Sequence, residues 1–367
     1  MGKLLRSVLS LALCLLLVMW AGAADVLEQE AQILQTDTLY EGLDPAQKAL
    51  LGDAAPTKQA SFGDVLYDLV YAALSGSSGS VRQALSSMAM LLAAVFLCAM
   101  AENAGSESAS ASACLAGTLA VFLICMRSFG GLIADGMQTV QKVSEYTKLL
   151  LPVLSSAAVA SGAVTGGSAL YAGSMLFMSV LSSLLHGLLS PMVYLYCALS
   201  TAECAMNTNA LTKLRELSGS VIAVSLKAVM YFFTGYLALT GILSGAADDL
   251  RLKTTKAALS GALPVVGSIV ADASGSVIAG AGILKNSIGA FGMLAVLAIA
   301  LAPFLRIGVS FLSLKLTAAV SSVYSGGTMA KLLSCMAAAM GYVLAMLGCT
   351  ILMSLVSACC FLKAVSG

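Results

Sequence analysis

Leu263-Pro264-Val265-Val266-Gly267-Ser268 opens a stretch that continues through a small-residue run carrying Asp272 and Lys285, and then through an apolar segment that closes at Pro303. An earlier stretch is built the same way. Leu151-Pro152-Val153-Leu154-Ser155-Ser156 opens a Gly/Ser/Ala run and an apolar segment that closes at Pro191. The two Leu-Pro-Val triplets lie 112 residues apart, as do Pro191 and Pro303, in a chain with 6 prolines. One inserted residue brings Ser161-Gly162-x-Val164 onto Ser274-Gly275-x-Val277. Small apolar residues coincide by chance in any such chain, but matched prolines do so far less, and the pattern reads as an internal repeat. Residues 131–244 form the first unit and residues 245–367 the second. Three crossings in each unit would make the two inverted relative to one another. Because proline lacks an N–H and its ring clashes with the preceding turn, Pro152, Pro191, Pro264 and Pro303 are expected to mark helix breaks.

Working outward, 59% of the 367 residues are hydrophobic and 10% charged, where a soluble domain carries charge on roughly a quarter of its residues. The fold class is an all-α polytopic membrane protein, with about seven transmembrane helices plus interfacial or re-entrant segments. Lys3 and Arg6, an apolar run over residues 8–20 and Ala21-Gly22-Ala23-Ala24 read as a signal peptide, residues 1–24. Its cleavage would leave residues 25–80 outside. That segment is acidic, with nine carboxylates between Asp25 and Asp68 against Lys48 and Lys58. Nucleic-acid binding, which needs clustered Lys and Arg to displace counterions from phosphates, has no support here.

In chain order, residues 25–59 are broken by Asp44-Pro45 and Ala55-Pro56 and should have little intrinsic structure. Val65, Leu66, Leu69, Val70 and Ala73 then fall on one helical face with Asp64 and Asp68 opposite, the spacing of an amphipathic helix. Residues 75–80, Ser-Gly-Ser-Ser-Gly-Ser, have the composition of a flexible linker. Residues 81–130 hold an antiparallel transmembrane pair, 84–101 and 110–126. Residues 127–150 alternate polar and apolar faces and read as an interfacial helix. Helices over 171–190 and 192–201 should flank Pro191, a polar loop over 205–216 should precede a helix over 217–243, and helices over 288–302 and 331–362 complete the second unit.

Ionisable groups inside a membrane are costly unless paired or hydrated, so they are the first candidates for function. Asp272, Lys285 and the adjacent Asn286 form the candidate polar pathway. The repeat equivalents of the two charges are Ala160 and Ala172, so the charges are not needed to build the unit. Lys227, Arg306 and Lys315 can instead reach the headgroups by extending along the bilayer surface. The sole histidine, His186, has no partner at metal-ligand spacing. There is no phosphate-loop motif, and Gly76-x-Ser78-Gly79 resembles a nucleophile signature only in letters. The ten cysteines include no Cys-x-x-Cys pair and read as small apolar residues of helices. Neither an enzyme nor a bound cofactor is expected.

The order of signal peptide, acidic segment and amphipathic helix leading to Leu151-Pro152, and above all Leu263-Pro264-Val265-Val266-Gly267 through Asp272 to Leu284-Lys285-Asn286-Ser287-Ile288-Gly289 and Pro303, resembles the stage III sporulation protein AE family. The resemblance implies a multi-pass component of the mother-cell membrane surrounding the forespore, within a secretion-like channel complex. It also implies partners: the ATPase-like protein AA, the ring-forming protein AG and the forespore protein Q, besides membrane lipid. A channel or export-gate role is the reading that follows. The repeat by itself suits a different one, a secondary transporter, since inverted repeats with interrupted helices are how many transporters build substrate sites.

Overall fold

The computed structural model describes residues 36–51, 62–104, 107–160, 164–206, 211–262, 267–324 and 327–363. The signal peptide and Pro264 fall outside the described residues, as do the side chains of Asp272 and Lys285. Among the described residues the chain is α-helical with no strand. Its helices are α1 (Thr36–Glu41), α2 (Pro45–Leu51), α3 (Phe62–Gly76), α4 (Ser78–Ala104), α5 (Glu107–Ala160), α6 (Val164–Leu184), α7 (Ser190–Ala205), α8 (Thr212–Ala262), α9 (Gly267–Tyr324) and α10 (Thr328–Lys363), with one π turn, Leu185–Leu189, joining α6 to α7.

Six of these stretches are long and apolar enough to cross a membrane: Phe62–Ala101, Ser112–Ala160, Leu170–Ala205, Thr212–Leu239, Asn286–Val323 and Thr328–Leu362. The count falls one short of the seven read from sequence because the two helices expected on either side of Pro191 are one. At that point the chain inserts a π turn instead of stopping, and Pro191, which lacks an N–H, lies directly after that turn as the second residue of α7. Two other expected breaks are absent. Helix α5 runs through Pro152 to Ala160, and α9 runs through Pro303 to Tyr324. Pro152 points outward while Leu150, Leu151, Val153 and Leu154 are all buried, so packing on both sides keeps the helix continuous across a locally unfavourable residue.

That packing depends on close approach. Helices α5 and α10 run parallel, paired at Thr118 with Met329 and by the buried hydroxyls of Thr147 and Ser354, 2.8 Å apart. Helix α9 runs antiparallel between them. A Cβ on Gly136 would come within 2.6 Å of Val343 and 3.0 Å of Ile307, and one on Gly292 within 2.5 Å of Leu150. In a membrane, where lipid tails are as apolar as leucine, such small-residue notches supply the van der Waals contact that joins helices. Helices α6 and α8 pack antiparallel through Phe177, Phe233 and Tyr236, with Gly173 seated under the Tyr236 ring.

The expected linker is helical. Only Ser77 leaves the helix between α3 and α4, and Ser75 and Ser77 donate their hydroxyls to the carbonyls of Ala72 and Leu74. On α3 Leu69 is buried and Val65 and Leu66 are half-buried, while Val70, expected on the same face, is exposed, as are Asp64 and Asp68. Residues 36–51 of the acidic segment are more ordered than composition suggests: Leu39, Leu43 and Leu51 are buried, Tyr40 packs on Phe291, and Asp44 accepts a 2.8 Å bond from Lys142.

Candidate functional site

Among the described residues, one charged cluster is buried in the bundle and another lines an open cleft at its surface. The first lies where α7 ends and α8 and α10 begin. Glu203, in the last turn of α7, is 2% exposed and takes Arg215 Nε at 2.8 Å on one oxygen and Lys331 Nζ at 2.8 Å on the other. Thr212 donates its hydroxyl to the same carboxylate. Arg215 reaches Glu216 at 3.8 Å and donates to the Tyr196 hydroxyl at 3.3 Å, and the Tyr196 ring meets Tyr342 edge-on at 5.4 Å. Gly219 leaves room for that arrangement, since a Cβ there would stand 2.5 Å from the Tyr342 hydroxyl. Two carboxylates and two cations sum to zero. Chemically the cluster is a clasp: the buried Glu203 takes three donors, Arg215, Thr212 and Lys331, which engages it in joining helix ends.

The second place is open. A cleft of about 590 Å³ lies between the start of α4, the middle of α5 and the middle of α9, lined by Arg127, Asp135 and Arg306 together with Gln83, Ser87 and Ser310. The polar face of α5 that borders it runs on through Gln138, Gln141, Lys142 and Glu145, all exposed, with Gln141 bonded to Glu145. The opposite face of the same helix, Phe129, Ile133, Met137, Val140 and Val143, is buried. The amphipathic pattern read over residues 127–150 is therefore present, but on a continuation of the transmembrane helix rather than on a separate interfacial one.

Of the sequence-predicted pathway, Asn286 is exposed at the start of the apolar stretch of α9, and the backbones of Asp272 and Lys285 lie on the same helix. His186 is exposed in the π turn. No group of three His, Cys, Asp or Glu side chains gathers among the described residues, and the nine described cysteines form no disulfide with one another. Sequence reasoning missed the Glu203 clasp. Its only local signal was an acid and a base flanking the polar loop after α7; Lys331 lies 128 positions away from Glu203 and is brought in by tertiary packing.

The sequence model of the family described as stage III sporulation protein AE matches residues 53–364, which takes in every helix from α3 to α10. The chain belongs to the stage III sporulation protein AE family. A relative of that name from Bacillus subtilis (strain 168) is 23% identical over 239 residues, 65% of this chain and 60% of the relative. The chain thus matches about three fifths of that relative's length. No solved structure matches. As a member of the stage III sporulation protein AE family with six helices fit to cross a bilayer, the chain is a sporulation protein of membrane type.

Proposed function

We propose that this protein is a channel- or export-gate-like component of the complex that connects mother cell and forespore, seated in the mother-cell membrane around the forespore. The observation that carries the reading is the family match over residues 53–364. Helical architecture supports it: several helices exceed the length a bilayer core needs, and α5 carries a polar face along its continuation. The partners would be the ATPase-like protein AA, the ring-forming protein AG and the forespore protein Q. Asp272, Lys285 and Asn286 would contribute to the polar path, because charges on an apolar helix are retained where they meet water or one another.

A secondary transporter built from the inverted repeat is the competing reading. Co-purification separates the two. Tagged protein taken from sporulating cells should retain the ring and ATPase partners if it is a gate, whereas recovery of the chain alone at full yield would favour an autonomous transporter.

A further inference from the structure

The cleft between α4, α5 and α9 has more positive charge than its surroundings neutralise. Arg127 and Arg306 approach it from different helices, Asp135 is the one carboxylate in its lining, and no ion pair joins either arginine to a carboxylate among the described residues. The setting makes this notable. Arg306 is an exposed cation within the apolar stretch Asn286–Val323, where a charge facing lipid is costly unless it is paired or hydrated. Arg127 stands where the apolar run over residues 110–126 gives way to the polar face of α5, and Gln83 stands just before the apolar run of α4. The cleft therefore opens at an apolar-to-polar boundary of the α4–α5 pair. Small residues keep it open: a Cβ built on Gly79 or Gly131 meets nothing within 4 Å. Gly79, with the Ser/Gly stretch at the start of α4, belongs to the part of the sequence that looked like a linker.

We propose that this cleft binds a phosphate-bearing anion, with Arg127 and Arg306 as its cationic ligands and Gln83, Ser87 and Ser310 as neutral hydrogen-bonding neighbours. Guanidinium groups match tetrahedral oxyanions in bidentate geometry and stay charged at any working pH. The net charge of the lining, two cations against one carboxylate, is offset by a monoanionic phosphodiester. A lipid headgroup and free phosphate both supply that chemistry.

The test uses full-length protein purified in a neutral detergent and follows its thermal unfolding midpoint against added short-chain phosphatidylglycerol, short-chain phosphatidylcholine and inorganic phosphate. A ligand that binds the native state raises the midpoint in proportion to its occupancy. Stabilisation by phosphatidylglycerol but not phosphatidylcholine or phosphate identifies an anionic lipid headgroup; stabilisation by inorganic phosphate identifies the free anion. In either case the Arg127→Gln/Arg306→Gln variant should need about tenfold more ligand or worse for the same shift, given the strength of charge-assisted hydrogen bonds. Gly131→Leu, which fills the cleft and keeps both charges, should lose the response as well and serves if the arginine variant fails to fold. Lys227→Gln, altering an exposed cation elsewhere on α8, should respond as wild type. No stabilisation of wild type by any of the three probes, or equal half-saturation in wild type and the cleft variants, would overturn the proposal.

Discussion

Removing the Glu203 carboxylate would leave Arg215 and Lys331 facing one another at the junction of α7, α8 and α10. Loss of one partner from a buried ion cluster typically costs about 3 to 5 kcal/mol, because the remaining charges keep their desolvation penalty and lose its compensation. Glu203→Ala should accordingly unfold at a markedly lower temperature in detergent. Glu216→Ala removes a carboxylate that is 63% exposed, and its effect should stay within about 1 kcal/mol, as for surface pairs. Equal losses in the two variants would mean that the clasp does not hold the three helix ends together. The acid and base flanking the loop after α7 were the only sequence signal for this residue, and a single acid near the end of an apolar helix looks the same whether it is clasped or facing headgroups.

At the scale of single helices, the boundaries were legible where chemistry is local and obscure where packing decides. The face of α3 and the antiparallel α4–α5 pair followed from hydrophobic spacing, which depends only on the residues of each helix. The prolines misled in a specific way. The cost of about 3 kcal/mol for a proline inside a helix is a rule for an isolated segment; at Pro152 the buried neighbours Leu150, Leu151, Val153 and Leu154 hold α5 in register on both sides. Serine and glycine over residues 75–80 misled for the converse reason. In water they favour a flexible coil, but here the hydroxyls of Ser75 and Ser77 bond back to the carbonyls of the preceding turn. If α5 is continuous, Pro152→Ala restores a backbone donor on an exposed face and should leave the unfolding midpoint unchanged or raised, with normal spore formation. A sporulation defect at normal protein abundance would show that the chain uses Pro152 as a hinge.

At the scale of the whole molecule, helix α5 is the axis. Its 54 residues extend about 80 Å at 1.5 Å per residue, well over twice the roughly 30 Å core of a bilayer. One part of it therefore crosses the membrane while the rest continues beyond, and the N-terminal helices dock onto the charged continuation through Asp44 and Lys142. The membrane class and helical architecture were readable from composition. The registry of α5, α9 and α10 was not, because it depends on notches such as Gly136 and Gly292 that only acquire meaning once Val343, Ile307 and Leu150 are set against them. The account's central claim is that this bundle supplies a polar path in a sporulation complex, with Asp272 and Lys285 on it. Its most direct measurement is spore yield from cells whose only copy carries Asp272→Asn and Lys285→Met, taken together with protein abundance and partner retention. The account predicts normal abundance, retained partners and a large fall in spore yield; wild-type spore yield at wild-type abundance would contradict it.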